Sequence, residues 1–149
     1  MIQKVISGGQ TGVDRAALDF ALENGIPCGG WCPQGRKAED GMIPPRYPLQ
    51  ETPSPDYKER TEWNVRDSDG TLILTWGKPT QGTAFTIEVA QRLGKPCLII
   101  DLLSPPFWPA VYDWFKKYSL NILNVAGPRE SKVPEIYGQA LDYLEKIFL

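Results

Sequence analysis

Thr71-Leu72-Ile73-Leu74-Thr75, after a turn at Asp69-Gly70, and Pro96-Cys97-Leu98-Ile99-Ile100-Asp101 are two near-continuous apolar runs. Such runs suit strands covered on both faces, as in a parallel sheet. Between them, Thr83 to Leu93 has helical spacing and stops at Gly94, with Pro96 just beyond. Strand, helix and strand in that order form a βαβ unit with a right-handed crossover. Working outward, Lys4-Val5-Ile6-Ser7 and Asn121-Ile122-Leu123-Asn124-Val125-Ala126 read as two more strands, and Cys28-Gly29-Gly30-Trp31 as a short fifth. Val13 to Glu23 carries Ala16, Ala17, Phe20 and Ala21 at helical spacing. Ser54-Pro55-Asp56 opens a helix to about Asp67, as N-cap, first-turn proline and first-turn acid. Ser104-Pro105-Pro106 opens another, to about Tyr118, and the C-terminal helix has Ile136, Ala140, Leu141, Leu144 and Phe148 on one face. The expected fold is α/β: a Rossmann-like three-layer sandwich, with a mainly parallel sheet of about five strands and Thr71–Thr75 at its centre.

The 149 residues suit a single domain, 1–149, with one core. A net charge of -2 argues against a broad basic surface for nucleic acid. No stretch is long and apolar enough to span a bilayer. Met1-Ile2-Gln3-Lys4-Val5 runs straight into a strand without the parts of a signal peptide, so a cytoplasmic location is expected. The chain has no histidine. That excludes Ser-His-Asp and Cys-His catalysis, histidine general bases and the usual zinc sites. Cys28, Cys32 and Cys97 read as small buried hydrophobes rather than a disulfide framework. Phe107, Trp108, Tyr112, Trp114, Phe115 and Tyr118 are too many for one buried helix face. They point to a subunit contact in a homo-oligomer, dimer or tetramer.

In an open α/β sheet, ligands bind beyond the carboxyl ends of the strands. The first such loop is Ser7-Gly8-Gly9-Gln10-Thr11-Gly12-Val13-Asp14-Arg15. Its glycines allow close backbone approach to an anion, and the helix that follows presents N–H groups and a positive dipole end. Gly8, Gly9, Gln10, Thr11, Gly12, Asp14 and Arg15 are therefore candidate binding residues. The spacing matches neither Gly-x-Gly-x-x-Gly nor a Walker A loop. A tight turn needing glycine for geometry alone is the plainer alternative. On the anion reading, a bulky residue at Gly9 or Gly12 costs ligand binding but not folding.

A second loop, Trp76 to Thr83, adds Gly82 and Thr83, and with Thr75 and Thr80 makes a hydroxyl-rich strand end. The third, Asn124 to Ser131, adds Gly127, Arg129 and Ser131. Capping alone would also account for Thr83 and Ser131. The long stretch Cys32 to Pro53 has the length of a functional or mobile loop; Trp31 borders it, and Arg36 could grip an anion bidentately. Arg60, Asn64 and Asp67 share one face of the 54–67 helix by spacing. Such a stripe usually faces solvent, but Tyr57 and Trp63 make this helix less uniformly hydrophilic than that.

Gly8-Gly9-Gln10-Thr11-Gly12-Val13-Asp14-Arg15-Ala16-Ala17-Leu18-Asp19, Gly30 to Gly41, Arg60 to Leu72 and Leu123 to Ser131 together resemble the putative molybdenum carrier family. The resemblance spans nearly the whole chain. It implies a Rossmann-like binder of molybdenum cofactor, a pterin bearing a phosphate and a dithiolene that holds oxidised molybdenum. It also implies molybdoenzymes as recipients of the cargo. That family looks related to the lysine-decarboxylase-like phosphoribohydrolases, whose signature is Pro-Gly-Gly-x-Gly-Thr-x-x-Glu. Here only Gly82-Thr83 remains of that core, and Glu88 lies five residues after Thr83 rather than three.

Three functions follow. One is a carrier of molybdenum cofactor or a related oxyanion, which needs no general base. The second is a nucleotide or sugar-phosphate hydrolase, with Glu88, Asp14 or Asp40 as catalytic carboxylate. The third is a sensor of a nucleotide-derived ligand, though no effector domain is visible.

Overall fold

The computed structural model describes residues 1–79 and 81–149. Its main sheet joins β1 (Lys4–Ile6), β2 (Cys28–Gly29), β7 (Gly70–Thr75), β8 (Cys97–Asp101) and β9 (Ile122–Ala126). Their spatial order is β2-β1-β9-β7-β8, and every pairing is parallel. The helices are α1 (Val13–Glu23), α2 (Tyr57–Asp67), α3 (Gln81–Arg92), α4 (Pro109–Lys117) and α5 (Ile136–Phe148). On one side of the sheet, α1, α4 and α5 enclose the large core, with Phe20, Phe115, Ile136 and Leu144 against Leu72, Leu74, Leu123 and Val125. On the other side, α2 and α3 meet over a smaller cluster of Val65, Val89 and Ala90. The expected three-layer α/β architecture is therefore present.

β7 is buried along its whole length, as its apolar run requires. It is not the centre, however: β9, the last strand in the chain, pairs with both β1 and β7 and takes that place. Two helix starts also differ from the sequence reading. In α2 the N-cap is Asp56, which accepts from the Lys58 amide at 2.9 Å, so Ser54 and Pro55 lie outside the helix. α4 begins at Pro109, the residue with φ preset for a first turn, and not at Ser104-Pro105-Pro106. Of the aromatics near α4, Phe115 is buried, whereas Phe107, Trp108 and Tyr118 are exposed. Among the described residues no helix is long and apolar enough to cross a membrane.

The stretch 32–53 is an ordered outwork. β3 (Trp31–Cys32) pairs in parallel with β6 (Gln50–Glu51), and β4 (Lys37–Ala38) pairs antiparallel with β5 (Gly41–Met42). It has its own core of Cys32, Ala38, Ile43, Tyr47 and Leu49 against Leu18 of α1. Arg36 sits at its hub rather than facing a ligand. Its guanidinium donates to the carbonyls of Ile43 (2.9 Å), Leu49 (3.2 Å), Pro44 (2.8 Å) and Tyr47 (2.9 Å). A planar fork bonded this way cannot be replaced by an ammonium. Arg36→Ala should cost about 2–4 kcal/mol of stability and open 33–50 to limited proteolysis, and Arg36→Lys should recover little of it. Wild-type resistance to protease in either variant would contradict this role.

Candidate functional site

β1 leads toward β2 on one side, and β7 leads toward β8 on the other, with β9 between them. Loops leaving opposite ways open a crevice at the carboxyl ends of such strands. A cavity of about 480 Å³ lies there. Its wall takes Gly8, Gln10 and Asp14 from the loop after β1 and the start of α1, and Thr75 and Trp76 from the end of β7 and just beyond it. Gln81, Gly82, Thr83 and Phe85 come from α3, Tyr57, Arg60 and Asn64 from α2, and Asn124, Gly127, Arg129 and Lys132 follow along β9 and beyond. A volume of this size accommodates a small-molecule ligand.

The wall carries five basic side chains, Lys58, Arg60, Lys78, Arg129 and Lys132, against two acids, Asp14 and Asp56. Among the described residues, only Arg60 of these five enters an ion pair. Arg60 and Arg129 both lie over the Tyr57 ring, at 5.1 and 5.3 Å from its centroid. Arg60 is the deeper of the two. It donates to Gly8 O at 2.9 Å and stands 3.7 Å from Asp14 Oδ2. A Cβ on Gly8 would occupy the volume of that guanidinium, so glycine there makes room for the arginine.

Burial dominates both partners of this pair. It raises Asp14 from 3.8 to about 6, against the opposing pull of Arg60 and of the Gln10 amide. It also lowers Arg60, which Asp14 partly offsets. The pair is therefore a costly feature placed in the wall of a cavity. Beside it, Gln10 is 4 % exposed, and its Oε1 accepts from the amides of Thr11 (3.1 Å) and Glu39 (2.8 Å). With Oε1 fixed in this way, Nε2 is buried and has no partner among the described residues. An orphaned donor in a cavity wall calls for an explanation.

Of the residues singled out by sequence, Gly8, Gln10, Asp14, Thr75, Gly82, Thr83, Gly127 and Arg129 line this cavity. Gly9, Thr11, Gly12, Arg15, Trp31, Arg36 and Ser131 do not. Gly9 and Gly12 both have φ of +80°, and a Cβ would meet Leu49 and Ile43 in one case and Pro128 O in the other. Substitution at either therefore strains the fold, which corrects the expectation that only ligand binding would suffer.

Several amides of this turn are already committed. Gly9 N donates to Ser7 Oγ, Gln10 N to Asp14 and Val13 N to Pro128 O. Thr11 and Ser131 hydroxyls bond the Glu39 carboxylate, which is held below its usual range by those bonds although burial works against it. Arg15 donates to Gly9 O and to Asp40. Trp31 Nε1 donates to Asp67 at 2.8 Å, and its ring meets Trp63 edge-on. Thr80 lies outside the described residues. Tyr57, Arg60 and Lys132 were not on the list drawn from sequence. The signal for the two on α2 is the Arg60, Asn64, Asp67 stripe noted in the sequence, where Asn64 is buried and grips both backbone groups of Trp31; Lys132, beyond β9, carried no such signal.

Comparison with known proteins places this geometry. Residues 5–148 match the circularly permutated YpsA SLOG family. The chain belongs to that family. Among solved structures it is similar to a putative molybdenum carrier protein from Syntrophus aciditrophicus SB, with 50% identity and a TM-score of 0.96, over 99% of this chain and 96% of that one. Comparison with curated proteins gave no match. The resemblance read from the glycine-turn and Gly30–Gly41 blocks is thus borne out. Within this family member, the position three residues after Thr83 belongs to Thr86, buried in the cavity wall and bonded to Gly82 O at 3.0 Å. Glu88 is exposed on α3 and outside the cavity, and Asp40 is tied to Arg15. Of the three carboxylates considered for catalysis, only Asp14 faces the cavity.

A carboxyl raised by burial stabilises the fold below its unfolded value and loses that contribution as pH rises through the folded one. For Asp14 that window runs from 3.8 to about 6. Asp14→Asn should flatten the pH dependence of unfolding free energy across this window, by about 3 kcal/mol at most. Parallel wild-type and variant curves from denaturant titrations would refute the assignment.

Proposed function

We propose that this protein binds molybdenum cofactor, or a related molybdenum oxyanion, in the cavity at the carboxyl edge of its sheet and hands it on to acceptor molybdoenzymes. The observation that carries the proposal is the combination, in one wall, of basic side chains without ion-pair partners among the described residues and the orphaned Gln10 amide. Arg129 and Lys132 would hold the phosphate, since charge-assisted hydrogen bonds from such groups are the strong ones. Gln10 Nε2 would donate to a second acceptor of the ligand. When bound, the cargo supplies the redox chemistry of molybdenum, which belongs to the acceptor enzyme. The chain's own residues need only bind, orient and release.

The relative named as a putative molybdenum carrier protein supports the choice of cargo. A carrier requires no general base, which agrees with a chain free of histidine. A cytoplasmic location and a homo-oligomeric state, with the exposed Phe107 and Trp108 at a subunit contact, belong to the same proposal.

Titration with isolated molybdenum cofactor should show saturable binding. Arg129→Ala and Lys132→Ala should each weaken it by about 1.5–3 kcal/mol, the range for hydrogen bonds to charged groups. Arg92→Ala, on the outer face of α3 and paired with Glu62, should leave it unchanged. Absence of saturable binding, or equal affinity in all three variants, would end the proposal.

A further inference from the structure

We propose that anion binding in this cavity is coupled to uptake of one proton by Asp14, so that the ligand is held against a neutral carboxyl and released as Asp14 ionises. The inference rests on the cavity being an anion site and adds its regulation.

Asp14 is 5 % exposed, yet it forms part of the cavity wall. The charged groups that face it are Arg60 from α2 and, more weakly, Arg15 from its own helix. Arg15 is already committed to Gly9 O and Asp40. Asp56, the other acid of the wall, is exposed and occupied in capping α2. Among the described residues that leaves Arg60 as the one cation in ion-pair range of Asp14, and Arg60 also lines the cavity an anion would enter.

An anion seated beside Arg60 and Gln10 puts a second negative charge in the same buried volume. A second negative charge beside a buried carboxylate disfavours that carboxylate's ionised form. The weaker acid takes the proton, and burial has already brought Asp14 up to about 6 before any ligand arrives. The balance is simple. Solvent supplies one proton to the carboxylate as the anion enters, and the same proton returns to solvent when the anion leaves. No covalent bond forms or breaks. In the loaded state the Asp14 hydroxyl becomes a donor, a fifth kind of contact for an oxyanion beside guanidinium, ammonium, amide and hydroxyl.

The test uses sulfate and molybdate, neither of which titrates across the range studied. Calorimetric titration in two buffers of different ionisation enthalpy should report uptake approaching one proton per anion. Affinity should fall by up to about tenfold per pH unit between about pH 6.5 and 8.5. Asp14→Asn should abolish the uptake, remove the pH dependence and bind more tightly than wild type at the alkaline end. Arg129→Ala should weaken binding but keep the uptake. Wild-type binding without proton uptake would overturn this inference and leave the anion site standing. If sulfate, molybdate and the cofactor all fail to bind at every pH, both fall together.

Discussion

Arg60 reaches from a helix on one face of the sheet to the first turn of the chain, and the site is assembled around its burial. The guanidinium bonds Gly8 O, faces Asp14, and stacks over the same tyrosine that carries Arg129. Burying a cation is expensive unless it is paired and hydrogen-bonded. Gly8 has no side chain because the guanidinium needs the space. Asp14 is at the second position of α1, where its carboxylate can face the arginine and accept the Gln10 amide. In the turn that looks like a phosphate cradle, the chain's own Asp14 carboxylate accepts the Gln10 amide.

At Gly8, Gly9, Gly12 and Gly127 the missing side chain makes room for another segment of the chain. At Gly127 a Cβ would collide with Leu74 O and Val13, so β9 and α1 can approach only through a bare backbone. Gly12 is placed the same way against Pro128. Gly82 differs: it lies in the cavity wall, at the first turn of α3, with nothing within 4 Å of a Cβ. A helix start of that kind favours negative charge. The electrostatic balance of the wall, five cations to two acids, points the same way.

Apolar periodicity made the scaffold legible. The runs at 71–75 and 97–101 are strands, Val13–Glu23 is a helix, and the three-layer architecture follows from their alternation. Helix starts were less legible because Ser54, Pro55 and Asp56 all carry N-terminal signals, and only packing decides among them. Ser104-Pro105-Pro106 carries a similar signal, yet the helix waits for Pro109. The site was half legible. Gln10, Asp14, Thr83 and Arg129 lie beside a turn signal and were visible from it. Arg60 was seen in the stripe of the 54–67 helix but not tied to the site, because its partner Gly8 is 52 positions away and a polar helix stripe ordinarily faces water. Arg15 and Arg36 were over-read for the opposite reason: an arginine in a loop looks available until its carbonyl and carboxylate partners are known.

The central claim is that negative charge is received in the cavity beneath Arg60 and Arg129, and not at the glycine turn that precedes α1. Anomalous diffraction from crystals soaked in tungstate, a heavy oxyanion, locates the anion directly. A dominant peak is expected among Gln10, Arg60 and Arg129. A peak at the Thr11–Val13 turn or beside Ser131, with none in the cavity, would contradict it.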